Sequence, residues 1–281
     1  MHESTERSGA DRSSAGSVAS LWRYPVKSML GEQLNESVVT ARGLLGDREY
    51  ALLDSATGRV ASAKNPRKWK GLFDFRATLS DSLRSPRGGL PVRITLPDGT
   101  ETSSDDGDVD LRISRAIGAG VRLVRADPDP ASYEEYWPDI EGLPRRDQVT
   151  VETMPPGTFF DCAVVHLITT STLGRFRELY PEGRFDVRRY RPNVVLELSD
   201  PAGDFVENDW VGRTVALGEE VRLRVTGLCG RCVMTTLPQR DLPRDVGILR
   251  TVARHNRLIA GAYASVERTG TVRRGDACWL V

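Results

Sequence analysis

The segment Gly227-Leu-Cys-Gly-Arg-Cys-Val-Met234 sets two thiols three residues apart with an arginine between them. A thiolate is a soft ligand that selects soft or high-valent metals, and it is also the nucleophilic form of cysteine. Arg231 is expected to favour the deprotonated form of its neighbour Cys232. Further cations sit in loops beside β-prone segments. Lys27 and Ser28 follow Pro25-Val26, Arg48 follows Asp47, and Arg191 precedes the apolar run that starts at Val194. Phosphate recognition uses loop-borne Arg and Lys of this kind, with backbone N–H groups from glycine-rich turns.

Four roles suit the Cys229-x-x-Cys232 pair. A redox pair needs its first thiol at a helix N-terminus, after a strand. Here Val233-Met-Thr-Thr236 is β-prone and Pro238 is too close for a helix. A structural zinc site needs two more ligands. No second Cys-x-x-Cys or His pair accompanies this one, which leaves Cys162, His166 and Cys278 at long range. Small buried residues in a turn are the commonest role of free cysteine. A thiolate ligand to a redox metal within an anionic cofactor is the role that also uses the loop cations. On the residues alone all four stay open.

The elements that must position these residues are mostly short strands. β-Prone or alternating runs occur at Val18–Tyr24, Leu34–Thr40, Arg48–Leu53, Leu72–Leu79, Val92–Leu96 and Val121–Arg125. In the second half they occur at Val164–Ile168, Val194–Leu198, Val221–Val225, Tyr263–Val266 and Ala277–Leu280. Helical spacing appears at Val109–Ile117, after Ser171 or Thr172 (Leu173, Phe176, Leu179), and at about Arg244–Arg254. Arg250, Arg254, His255 and Arg257 give that last segment a basic, solvated face. The Pro- and acid-rich stretch Asp127–Pro144 reads as the join between two halves. Many strands with few helices predict a mainly β, α+β chain of barrels or sandwiches. There is no Gly-x-Gly-x-x-Gly turn and no phosphate-loop motif.

Composition excludes several classes. The 281 residues carry 39 basic and 39 acidic side chains, so no global charge points to nucleic acid. No apolar run approaches the length of a membrane span. Residues 1–16, rich in Ser, Gly and Arg, read as a disordered tail without the apolar core of a secretion signal. Four cysteines in so long a chain do not make a disulfide scaffold, which implies a reducing, cytoplasmic setting.

Four motifs in order carry a family resemblance: Tyr24-Pro-Val-Lys-Ser28, Gly46-Asp-Arg48, Arg189-Tyr-Arg-Pro-Asn193, and Cys229-Gly-Arg-Cys232 with Thr235-Thr236. The set resembles the MOSC (molybdenum cofactor sulfurase C-terminal) proteins that carry an N-terminal MOSC β-barrel domain. Within them it is similar to the amidoxime-reducing, N-hydroxylated-substrate reductases. The resemblance implies an N-terminal β-barrel-like domain over 17–128 and a MOSC β-barrel domain over 129–281. It implies a molybdenum–molybdopterin cofactor, with Cys232 as the metal's protein ligand and catalytic centre. Pterin and phosphate contacts carry over to Lys27, Ser28, Arg48, Arg191, Gly230 and Arg231. Asp161 falls in Phe159-Phe-Asp-Cys-Ala163, where the family makes further cofactor contacts; this chain has Cys162 and Ala163 where Thr and Ser are expected.

The implied activity is reduction of small N–O compounds to amines or amidines. The alternative is a persulfide or cofactor carrier without turnover. No Cys-x4-Cys-x2-Cys module follows Gly275-Asp276, so electrons are expected from a separate ferredoxin, flavoprotein or cytochrome-type donor. Leu237-Pro-Gln-Arg-Asp241 stands where the family has an acidic-Pro-Asp-Thr-Gly turn.

Overall fold

The computed structural model describes residues 16–80, 89–126, 129–141, 143–200 and 203–281. Residues 1–15 of the expected tail, residues 81–88, and residues 127–128 and 142 of the join lie outside them.

The chain is mainly β, and its centre is a closed barrel. Strands Val194–Leu198, Val165–Thr169, Ile259–Arg268, Val221–Gly230, Thr214–Leu217, Ala277–Leu280 and Gly16–Arg23 neighbour one another in that order. Gly16–Arg23 then pairs antiparallel with Val194–Leu198, which closes the ring and leaves no open edge. The first described strand is therefore a stave of a barrel otherwise built from the second half. Strict alternation explains why these segments become strands: Val221, Leu223 and Val225 point inward with Val215, Leu217 and Leu21, and form one buried cluster. Helix Thr170–Leu179 is capped by the Thr169 hydroxyl, which accepts from Thr172 N. It packs with helix Val246–Asn256 in a second cluster that includes Phe176, Phe185 and Tyr190.

The first half forms smaller sheets. Tyr50–Asp54 pairs with Val121–Arg125, and Arg76–Leu79, Val92–Thr95 and Glu101–Ser103 form a meander. Helix Val109–Ile117 buries Val109 and Ile113 against them. Val233, Met234 and Leu237, from just beyond Cys232, complete this first-half core. Cys232 thus sits where the two cores meet.

Several boundaries differ from the sequence reading, each for a physical reason. Leu72–Leu79 is not one strand: Leu72–Asp74 is a 3₁₀ turn, entered through Gly71 at φ 77°, and the strand begins at Arg76. Leu34–Thr40 splits at Asn35 into Glu32–Leu34 and Glu36–Thr40. Val233–Thr236 is a 3₁₀ helix; four residues fit before Pro238 because the turn is tight, and all four are buried in place of pairing as a strand. Asp127–Pro144 contains the strand Ser132–Trp137, paired with Gln148–Thr153, and the acidic residues of that strand are turned inward, with Glu135 buried and Glu134 half-buried.

Leu21, fully buried in the strand that closes the barrel, reports on that closure. Leu21→Ala is expected to cost about 2–5 kcal/mol, seen as a lower urea midpoint at unchanged slope.

Candidate functional site

Strand Val221–Gly230 pairs with Ile259–Arg268, and the register slips between Val225 and Gly227 and again between Leu228 and Gly230. Such bulges re-aim the end of a strand. Here they deliver Cys229 into the interior and turn the chain out towards the junction of the two cores. Arg231 N donates to Leu258 O at 2.7 Å, and Cys232 continues extended before the 3₁₀ turn. Thr235 Oγ1 donates to Cys232 O at 3.0 Å. Arg189 is fully buried; its guanidinium donates to Thr235 O, Leu237 O and Pro243 O, so it holds this loop in place.

Arg231 touches Cys229 rather than Cys232, and its charge favours the Cys232 thiolate only as a small effect. Its Nη1 lies 2.7 Å from Cys229 Sγ, and its Nη2 donates to Tyr190 O at 2.8 Å. In extended chain, residues two apart share a face and neighbours oppose. Burial alone would push the Cys229 thiol up, but Arg231 and then His166 outweigh it and bring it down to about 6. Burial pushes the Cys232 thiol up to about 11, and Lys64 opposes this only in part. The charge-stabilised thiolate is therefore Cys229, while Cys232 holds its proton until something stronger displaces it.

The loop cations converge on the same pocket. Lys27, Ser28, Arg48 and Arg191 line it with Gly230, Arg231 and Cys232. Ser28, Arg48 and Arg191 all adopt left-handed backbone, with φ of 64°, 49° and 54°. A non-glycine residue there costs on the order of 1 kcal/mol, and such strain collects at functional sites. The Tyr24 ring lies between two guanidinium groups, 4.6 Å from Arg48 and 4.1 Å from Arg191. Asp47 accepts from Tyr24 N at 2.7 Å, from Asn193 Nδ2 at 2.9 Å, and from Arg48 Nη1. Arg191 Nη1 donates to Met29 O at 2.6 Å; burial, reinforced by Arg48, lowers its guanidinium to about 10.

Asp161 faces the opposite wall, bonded to Lys27 and 3.3 Å from Lys64. Burial would raise its carboxyl, yet the two lysines hold it well below the usual carboxylate range. The Tyr133 ring lies under both ammonium groups, at 5.1 and 4.9 Å. All eight residues singled out from the sequence meet here, with Cys162 and Ala163 also lining the wall.

Sequence reasoning missed Lys64, Asn193, Tyr263 and the thiolate role of Cys229. Lys64 is one ordinary lysine in Ser62-Ala-Lys-Asn65, and only folding brings it to Asp161 and Glu135. Asn193 was visible as the last residue of its motif, and its Oδ1 accepts from His166 N at 3.1 Å. Tyr263 offers no sequence signal; its hydroxyl is pushed well above its usual value, first by the Cys229 charge and then by burial. Among the described residues no group of three or more His, Cys, Asp or Glu is placed to hold a metal ion. The zinc reading of the cysteines thus has no ligand set there. A site of this chemistry, three cysteines in a pocket lined by five Lys and Arg cations and one carboxylate, suits a large anion rather than a bare metal ion.

Residues 155–279 match the MOSC domain, and residues 15–104 match the MOSC N-terminal beta barrel domain. The chain belongs to the MOSC domain proteins that carry this N-terminal barrel domain. It is similar to mitochondrial amidoxime-reducing component 1 of Mus musculus, 24% identical over 95% of this chain and 82% of that one. It is also similar to the molybdenum cofactor sulfurase of Oryza sativa subsp. japonica, 26% identical over 77% of this chain and 28% of that one. The crystal structure of the YuaD protein of Bacillus subtilis matches 94% of each chain at 13% identity, with a TM-score of 0.47.

The lowered Cys229 thiol makes stability pH-dependent. Its ionisation in the unfolded chain lies near 8.5, so its contribution is complete above about 8.5 and is lost as pH falls through about 6. A thiolate ultraviolet absorbance with midpoint near 6 is expected. It should vanish in Cys229→Ser and move upward in Arg231→Leu.

Proposed function

We propose that this chain is a molybdenum-cofactor-dependent oxidoreductase that reduces N-hydroxylated compounds to amines or amidines, with Cys232 as the metal's protein ligand. The observation that carries the reading is the meeting of Cys232 with Lys27, Ser28, Arg48, Asp161, Arg191, Gly230 and Arg231 around one pocket. The pocket fits a phosphate-bearing metallocofactor on three counts. Its cations outnumber its carboxylate five to one. Arg231 Nε is buried without a hydrogen-bond partner. The Cys232 thiol gives up its proton readily only to a partner as electron-withdrawing as a metal.

When bound, the cofactor supplies the two-electron redox change at the N–O bond. The protein's own groups do the rest. Arg48 and Arg191, held in left-handed backbone and braced by the Tyr24 ring, present fixed positive charge for the phosphate. Asp161 fixes Lys27 and Lys64 across the pocket from them. Phe159 and Phe160 are buried beside it and keep water from that wall. Electrons come from a separate ferredoxin, flavoprotein or cytochrome-type protein. Among the described residues no helix is long and apolar enough to cross a membrane. All four cysteines are free, which fits a reducing compartment, and we assign the chain to the cytoplasm.

The likeness to a molybdenum cofactor sulfurase keeps a second reading in play, a persulfide or cofactor carrier. One experiment addresses both. The protein is made in a host with an intact cofactor pathway, and bound molybdenum and pterin are measured. Wild type is expected to hold about one equivalent and Cys232→Ser almost none, with Cys229→Ser retaining most of it. Equal metal in wild type and Cys232→Ser would refute the assignment. Benzamidoxime reduction with an artificial electron donor marks the reductase; cyanide-releasable sulfur without turnover marks the carrier.

A further inference from the structure

Behind Arg191 lies a second cavity, of about 210 Å³, that shares only this residue with the first pocket. Trp22, Tyr24 and Gln239 line it together with Arg76, Arg188 and Arg240. Gln239 is fully buried, yet neither its Nε2 nor its Oε1 has a hydrogen-bond partner. The Tyr24 hydroxyl, also buried, has none either. Leaving such atoms unpaired is costly, and here three of them belong to two residues that line one cavity.

The segment that supplies Gln239 is held firmly. Gln239 N donates to Leu242 O at 2.9 Å, and Leu242 N returns a bond to Gln239 O at 2.8 Å. Arg240 takes left-handed backbone at φ 49°. Asp241 receives Arg184 at 2.8 Å and Arg188 at 2.7 Å. Those contacts neutralise Arg188, whereas Arg76 and Arg240 form no ion pair among the described residues. This turn is Leu237-Pro-Gln-Arg-Asp241, the stretch where the chain departs from the family pattern.

We infer that this cavity is a second ligand site, for a small phosphate ester that also carries a paired hydrogen-bond donor and acceptor. A primary amide with both atoms free matches an edge that offers one donor and one acceptor, as Gln matches an adenine edge. Trp22 offers a flat face for stacking. Arg76 and Arg240 supply the charge-assisted bonds for the phosphate. A nucleoside monophosphate is the simplest molecule with all three features. The site does not rest on the cofactor reading: Arg191 alone lines both cavities, and Tyr24, which braces Arg48 and Arg191, is the one other link between them.

Calorimetric titration of the full chain with adenosine monophosphate, adenosine and inorganic phosphate tests it. Saturable binding is expected for adenosine monophosphate and weaker binding for each part alone. Gln239→Leu should weaken the monophosphate and adenosine at least about tenfold and leave phosphate unchanged. Arg240→Ala, at an exposed position that does not endanger folding, should weaken the monophosphate and phosphate and leave adenosine unchanged. Lys27→Gln, confined to the first pocket, should change nothing. Absence of saturable monophosphate binding, meaning that only water fills the cavity, overturns the inference. So does binding that ignores Gln239→Leu and Arg240→Ala, or binding that Lys27→Gln removes.

Discussion

The Asp47 carboxylate is the interaction on which the site most depends. It ties the backbone at Tyr24, the side chain of Asn193 and the guanidinium of Arg48, which come from three separate loops. Lys27, Arg48 and Arg191 are all at least half buried. Like charges beneath the surface repel one another more strongly than in water, because the dielectric there is lower. They stay together because Asp47 and Asp161 compensate part of the charge and the Tyr24 and Tyr133 rings accept more of it. The remaining positive charge is the part of the design that a bound anion completes. Removing Asp47 alone would leave buried cations without their counter-charge, which is more damaging than removing a whole pair.

The two thiols illustrate how a strand end separates roles. Cys229 and Arg231 share one face, so the guanidinium serves the buried sulfur. Cys232, one step on, faces the junction between the cores, where Lys64 is the largest charge effect on it. One thiol is ionised by its neighbours, and the other is left neutral for a ligand to deprotonate. The bulges between Val225 and Gly230 set this division, because a strand in even register would end pointing elsewhere.

Much of this was legible in the residues, and the remainder was not for definable reasons. The barrel strands announce themselves through alternation, as at Val221, Leu223 and Val225, because one face is dry and the other wet. The cation-bearing loops are legible because Pro25, Gly46 and Pro192 punctuate the chain beside Lys27, Arg48 and Arg191. The partner of Arg231 was not legible, since adjacency in sequence says nothing of which face a side chain takes. Nor was Lys64, whose placement depends on pairing with Asp161, almost a hundred positions away. The 3₁₀ turn at Val233–Thr236 also defeats local propensity: burial of Val233 and Met234 in the first-half core overrides the β preference of the four residues.

The closing stave of the barrel carries a consequence for how the protein is made. Gly16 pairs with Cys278 on one side and with Leu198 on the other. During synthesis, Gly16–Arg23 emerges long before Ala277–Leu280, so its second neighbour arrives late. Contacts of such long sequence separation slow folding and leave an apolar strand exposed in the interval. A nascent chain of this design gains from a chaperone that shelters Val18 and Leu21 until Ala277–Leu280 has emerged.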